Sequence, residues 1–268
     1  MIDVVPHGEV TCVKTAAEQG GEAFFWVYSY LIGDVLIDAG CANAATEIHD
    51  FASGRVISRV LITHAHEDHY GCCSVLQRYS RIFAVEEDRE IIRNPPHYGE
   101  LFRMVWGQPA PTSEVGLMPE VVEFGDLRLE KVGLPGHWPT MVGFLEPNKR
   151  WLFSADAVPL PSKKKIGMPE ENIPQMIATM QKILDMNISV LFDAHRGPIT
   201  EVESHIQTRI DYLVDLQEQA RGLHKEGLSI PEIQEKLELE GPWYLPMAGD
   251  RFGIDILLRS LVFDEAEG

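Results

Sequence analysis

Long apolar runs are missing from this chain. No stretch approaches the roughly 18 apolar residues of a membrane span, and the opening Met1-Ile2-Asp3-Val4-Val5-Pro6 has neither a basic segment nor a signal-length apolar one. The expectation is a soluble, cytoplasmic protein with no membrane partner. Cysteine is scarce as well, with Cys12, Cys41, Cys72 and Cys73 as the four thiols. Four thiols without an export signal, two of them adjacent, do not make a disulfide framework. Cys72 and Cys73 read as small buried residues on a helix, with a thiolate ligand or a redox role as the alternative. Basic side chains are few: 23 Lys and Arg face 41 Asp and Glu, a net charge of −18. Nucleic-acid binding relies on Lys and Arg displacing counterions from phosphates, so this balance disfavours a nucleic-acid partner. No Gly-rich phosphate cradle and no Ser-His-Asp order appears either.

What the chain does have is a dense polar cluster, Leu61-Ile62-Thr63-His64-Ala65-His66-Glu67-Asp68-His69-Tyr70-Gly71, directly after an apolar run. Surface histidines clustered by chance are the bland alternative. Polar density of this kind behind a buried strand is hard to satisfy without an ion. Imidazole nitrogen and carboxylate oxygen suit zinc, with iron(II), manganese and cobalt as competitors. If Val60-Leu61-Ile62 ends a strand, His64 and His66 point to one side of extended backbone. Asp68 and His69 then lie around the turn and face a second point, so one short loop serves two neighbouring metals.

At 268 residues and 45% hydrophobic, the chain can bury a large core with a small appendage. A β-rich run from Ala23 through Ile32, a turn at Gly33-Asp34, and Val35-Leu36-Ile37 read as a hairpin. Residues 42–53 read as a helix and 55–62 as the strand that delivers the polar loop. Helix 72–79, strand 81–85 and helix 86–93 follow, an alternation that indicates an α/β fold. Residues 94–119 are broken by Pro95, Pro96, Pro109, Pro111 and Pro119 yet carry Tyr98, Phe102, Met104 and Trp106. That stretch is either a packed excursion or a lid. Strands are expected at 121–124, 127–132, 141–146, 150–153 and 188–192, and a helix at 173–186. From Glu201 the chain reads as helical, with Ser229-Ile230-Pro231-Glu232 as a capping box. Lys163-Lys164-Lys165 reads as a solvated basic loop, with attraction of an anionic substrate tail as the alternative.

The order H-x-H-x-D-H in the polar loop resembles the signature of the metallo-β-lactamase superfamily of metallohydrolases. Further motifs fit in sequence order. Pro135-Gly136-His137 precedes a strand beginning Val142-Gly143-Phe144, Asp156 follows a buried strand, and His195 stands in Asp193-Ala194-His195-Arg196-Gly197-Pro198. The resemblance implies a four-layer αβ/βα sandwich as a catalytic domain over residues 1–200, with a small helical extension over 201–268. It implies one divalent ion held by His64, His66 and His137, a second held by Asp68, His69 and His195, and Asp156 bridging them. Zinc is the first expectation for both ions, with iron or manganese as alternatives. Asp38, in an Asp-x-Gly at a strand end, is expected to support the metal loop from behind. Arg196 replaces a usual glycine, where it could bind a substrate carboxylate or form a structural ion pair.

The function this implies is dinuclear hydrolysis of a small ester, thioester or lactone, in the manner of glyoxalase II-like and lactonase-like relatives. A paired metal site lowers the pKa of water towards neutrality and polarises a carbonyl, while Asp68 orients the nucleophile and carries its proton to the leaving group. A phosphodiesterase or nuclease on the same metals is the alternative, and an iron-dependent redox enzyme a third. The tail from Glu201 carries six Lys and Arg against fifteen Asp and Glu. Such a tail suits packing or homodimer formation better than phosphate reading.

Overall fold

The structure is a computed structural model that describes residues 1–263. The chain divides into two compact units: one of Met1–Gly133, Val142–Ala155 and Ser189–Thr200, the other of Leu134–Met141, Asp156–Ile188 and the chain from Glu201.

In the first unit, β1 (Ile2–His7), β2 (Val10–Thr15), β3 (Glu18–Gln19), β4 (Glu22–Ala23), β5 (Val27–Ile32) and β6 (Val35–Ile37) form an antiparallel opening, and β3 and β4 stand apart as a two-stranded ribbon. The chain then winds through α1 (Ala45–Ser53), β7 (Arg59–Leu61), α2 (Glu67–Tyr70), α3 (Cys73–Leu76), β8 (Arg81–Ala84), α4 (Arg89–Arg93), α5 (Glu100–Val105) and β9 (Val115–Leu117). Seven strands pair in the order β1-β2-β5-β6-β7-β8-β9, antiparallel up to β6 and parallel from β6 to β9. Parallel pairing needs helical crossovers, which is why the helices begin where the strand direction stops alternating. The second sheet takes β10 (Val121–Phe124), β11 (Leu127–Gly133), β12 (Val142–Glu146), β13 (Trp151–Ala155), β14 (Val190–Asp193) and β15 (Gly197–Ile199), in chain order.

The two sheets share one apolar layer. Tyr30, Ile32, Val35, Ile37 and Leu61 from the first meet Val122, Leu129, Phe144, Phe153 and Phe192 from the second. Phe153 and Phe192 stack with ring centroids 4.6 Å apart. On the other face of the first sheet, Leu36, Val60 and Ile82 pack with Ile48 and Phe51 of α1, Cys73 and Leu76 of α3 and Ile92 of α4. Burial on both faces explains why β6 reads Val-Leu-Ile and why β7 and β8 are apolar after their opening Arg59 and Arg81.

Expected strand 55–62 shortens to β7, and expected helix 72–79 to α3. The hairpin 2–15 and strand β15 carry no sharp pattern in the sequence; pairing with neighbours creates them. Residues 94–119 form a packed excursion. Tyr98 Oη lies 2.8 Å from Tyr70 Oη in a buried pair, Asn43 Nδ2 donates to Met104 O at 3.0 Å, and β9 joins the sheet edge beside β8.

The second unit is built from α6 (Ile173–Asp185), α7 (Val202–Lys225), α8 (Ile230–Lys236) and α9 (Ile254–Val262). Ala220 of α7, Ile230 and Ile233 of α8 and Ile254 and Leu258 of α9 form a core common to the last three helices. The capping box is formed: Ser229 N donates to Glu232 Oε2 at 2.8 Å, satisfying groups the helix start leaves open.

Candidate metal centre

Strand β7 delivers the polar loop as its sequence suggests. Backbone at His66 is extended and the chain turns into α2 at Glu67. His64 and His66 therefore share a side, with His64 Nε2 3.1 Å from His66 Nδ1. Two imidazole nitrogens that close, both buried, are arranged as a pair of donors. Asp68 and His69 lie one helical turn on. Asp68 Oδ2 is 3.6 Å from His69 Nε2 and 3.6 Å from His195 Nε2. His195 comes from the turn between β14 and β15, so residues far apart in sequence converge here. Ligand atoms of Asp68, His69 and His195 all lie within 4.8 Å of one another.

The opposite ring nitrogens are held. His69 Nδ1 sits 2.9 Å from Asp38 Oδ2, His195 Nδ1 sits 2.9 Å from Trp26 O, and His64 Nδ1 sits 3.0 Å from Thr63 Oγ1. A fixed acceptor at Nδ1 selects the tautomer whose Nε2 lone pair is available, the usual arrangement behind a ligating histidine. Asp38 also accepts from Thr63 N at 2.9 Å and Thr63 Oγ1 at 3.0 Å. Its carboxylate braces the loop, and its backbone is left-handed at φ 60°, a conformation costly for a residue with a Cβ. Such strain persists where surrounding contacts over-determine it.

The His195 turn has its own brace, which the sequence did not single out. Asp193 Oδ1 accepts from His195 N and Arg196 N, each at 2.8 Å, while Tyr30 Oη donates to Asp193 O. Arg196 itself is exposed. Trp106 of the Pro-rich excursion has its ring centroid 6.0 Å from that of His195.

In the second unit, His137 Nε2 lies 3.2 Å from Asp156 Oδ2, and His137 Nδ1 lies 2.9 Å from Glu171 Oε1. Asp156 follows Ala155, another left-handed residue at φ 49°. Gly136, at φ 133°, must be glycine: an added Cβ would come within 2.5 Å of Met176 Cα. The close approach puts the His137 loop on the start of α6, where Asn172 N donates to Gly136 O at 2.8 Å and Thr179 Oγ1 to Pro135 O at 2.6 Å. Burial opposes the charged His137 ring, yet hydrogen bonds and charge from Asp156 and Glu171 outweigh it and raise its pKa to about 9. Burial likewise disfavours the Glu171 carboxylate, but Lys164 and His137 bring it down to about 2. Lys164 Nζ is 2.9 Å from Glu171 Oε1, so the middle lysine of the basic loop has a specific buried partner rather than a solvated one. Glu171 was not legible from spacing: it is one of two adjacent glutamates before a helix, and the histidine it faces lies 34 positions away in sequence.

The four cysteines are buried and free. Desolvation pushes Cys12 and Cys41 up to about 11 and Cys72 and Cys73 well above the usual thiol value. That chemistry suits packing and opposes a thiolate ligand or redox role.

A fold of two packed sheets with these motifs has clear relatives. The chain belongs to the metallo-beta-lactamase superfamily, whose family model matches residues 25–204. It is similar to hydroxyacylglutathione hydrolase GloC of Haemophilus influenzae, 24% identical over 152 residues that cover 53% of this chain and 70% of that protein. A metallo-beta-lactamase family protein of Thermus thermophilus matches in structure with a TM-score of 0.66 at 18% identity, over 95% of this chain and 91% of the other. A metallo-beta-lactamase of Pontibacter korlensis matches at TM-score 0.62 and 15% identity, over 79% and 98%. The fold is the α/β sandwich of that superfamily.

Proposed function

We propose that this protein is a dinuclear metal-dependent hydrolase that cleaves a small ester, thioester or lactone. We assign His64, His66 and His137 to one ion and Asp68, His69 and His195, whose ligand atoms lie within 4.8 Å of one another, to the other, with Asp156 assigned to both. Zinc is the metal we assign, since imidazole and carboxylate donors with few protein ligands per ion suit it, and iron or manganese can compete. The observation that carries the reading is the set of fixed acceptors behind the rings of His64, His69, His137 and His195, which turns each Nε2 away from its brace.

When bound, two divalent ions supply Lewis acidity, lowering the pKa of a water from about 15.7 towards 7 and polarising a carbonyl. The chain's own contribution is positioning and proton transfer. Asp68 is buried between His69 and His195, so its carboxylate can accept a proton from the attacking water and pass it to the leaving group. Asp38 and the Trp26 carbonyl keep the His69 and His195 rings from rotating, while Asp193 holds the backbone of the His195 turn. The likeness to a hydroxyacylglutathione hydrolase supports an acyl substrate, and the net charge of −18 favours it over a polyanion. No helix among the described residues is long and apolar enough to cross a membrane; with four free thiols, a reducing cytoplasmic setting is our assignment. A homodimer through the acidic tail is compatible with it.

The test couples metal quantification, on protein purified without chelator or added metal, to turnover of a thioester, ester and lactone panel. Asp68→Ala should lower kcat by about 10²- to 10⁴-fold. Full activity in that variant removes Asp68 from the mechanism. Turnover of single-stranded RNA but of no acyl substrate overturns the reading in favour of a nuclease.

A further inference from the structure

Glu171 is a buried carboxylate that the proposed hydrolysis does not itself require. It lies before α6 and receives contacts from three directions. Oε1 takes His137 Nδ1 at 2.9 Å and Lys164 Nζ at 2.9 Å, while Oε2 takes Met168 N at 3.0 Å. Only 7% of the residue is exposed, so an ionised carboxylate there is tolerable because Lys164 and the hydrogen bonds compensate its lost hydration. The segment is anchored on its other side too: Ile173 N donates to Ser260 Oγ of α9 at 2.8 Å.

The result is a chain of fixed groups, Lys164 to Glu171 to His137, ending where His137 Nε2 faces Asp156 Oδ2 at 3.2 Å. A carboxylate behind a histidine fixes the ring's orientation, holds its proton on Nδ1 and makes Nε2 a better donor. We infer that Glu171, steadied by Lys164, is the positioning residue that sets metal affinity at the His137–Asp156 part of the centre. Lys164 of the basic loop thereby acts on the metal site through Glu171. This inference rests on the dinuclear reading above. The competing account is a staple, in which the Lys164–Glu171 pair merely ties the loop to α6.

The two accounts separate by titrating metal-free protein with Zn²⁺ against a chromophoric chelator. Wild type should take up two ions. A His195→Ala background weakens the other ion and isolates the one His137 holds. In that background Glu171→Ala should weaken Zn²⁺ binding roughly 10- to 100-fold. Glu171→Gln, which still offers an acceptor to Nδ1, should lose several-fold less. In the His195-containing protein the second ion should keep its affinity in both variants. Unchanged affinity in Glu171→Ala, or equal weakening of both ions together with a lowered Tm of the metal-free protein, overturns the inference in favour of the staple while leaving the dinuclear reading intact. Wild-type protein that takes up no Zn²⁺ overturns both. If Glu171→Ala does not fold, Glu171→Gln decides alone: loss confined to one ion supports the inference and no loss overturns it.

Discussion

Asp38 and His69, 31 residues apart in sequence, meet through Oδ2 and Nδ1 at 2.9 Å in a fully buried pair. The same carboxylate accepts from Thr63 N and Oγ1, so one side chain fixes both the start and the turn of the metal loop. Asp38→Ala should lower Zn²⁺ affinity at the Asp68, His69 and His195 group by roughly 10- to 100-fold. Asp38→Asn should lose less, because an amide oxygen can still face Nδ1. Chelator competition on the two variants measures this, and wild-type affinity in Asp38→Ala would refute the brace.

Asp193 should be needed for His195 to stay in place. Asp193→Ala leaves the His195 and Arg196 amides without their acceptor, at about 1–3 kcal/mol for each group left unsatisfied. The expected result is a Tm lower by several degrees together with weaker metal binding; Asp193→Asn should restore most of both. Calorimetry and Zn²⁺ titration read the two effects separately. Normal metal binding in a destabilised Asp193→Ala would mean the turn does not position His195.

The Lys164–Glu171–His137 cluster predicts a pH window for the metal-free protein. Glu171 is depressed from 4.5 to about 2, so its stabilisation is present above 4.5 and lost as pH falls towards 2. His137 is raised from 6.5 to about 9, so its stabilisation is present below 6.5 and lost as pH rises through 9. The Tm difference between wild type and Glu171→Ala should therefore peak between about pH 4.5 and 6.5 and shrink on both sides. A difference that stays flat from pH 3 to pH 9 would show that the cluster is not charged as the geometry implies.

Burial and raised pKa values make all four thiols poor nucleophiles. Native protein at pH 8 should react with Ellman's reagent at none of Cys12, Cys41, Cys72 and Cys73 within minutes, and at all four once unfolded. Rapid native labelling of Cys72 or Cys73 would reopen a redox role for the adjacent pair.

Much of the site was legible without coordinates because its chemistry is local. His64, His66, Asp68 and His69 fall within six residues, and a strand followed by a turn dictates how they face. The α/β class was legible for the same reason, since β6, β7 and β8 are short, mainly apolar segments separated by helical spacing. The sequence was weaker where an element exists only through its neighbours. Nothing in Ile2–Thr15 announces a hairpin as firmly as pairing with β5 does, and β9 stands in a Pro-rich stretch that reads as irregular. His137, Asp156 and His195 could be matched by resemblance alone, because no local periodicity connects them.

Sequence by itself determined which donors are available, the order in which they come and the acidic balance that disfavours a polyanion. Tertiary structure decided the braces on the rings: Asp38 behind His69, Glu171 behind His137 and the Trp26 carbonyl at His195. The reason is physical. A donor's identity is written in one residue, whereas the orientation of the His69, His137 and His195 rings depends on acceptors 31, 34 and 169 positions away, and only folding brings each pair within hydrogen-bonding distance.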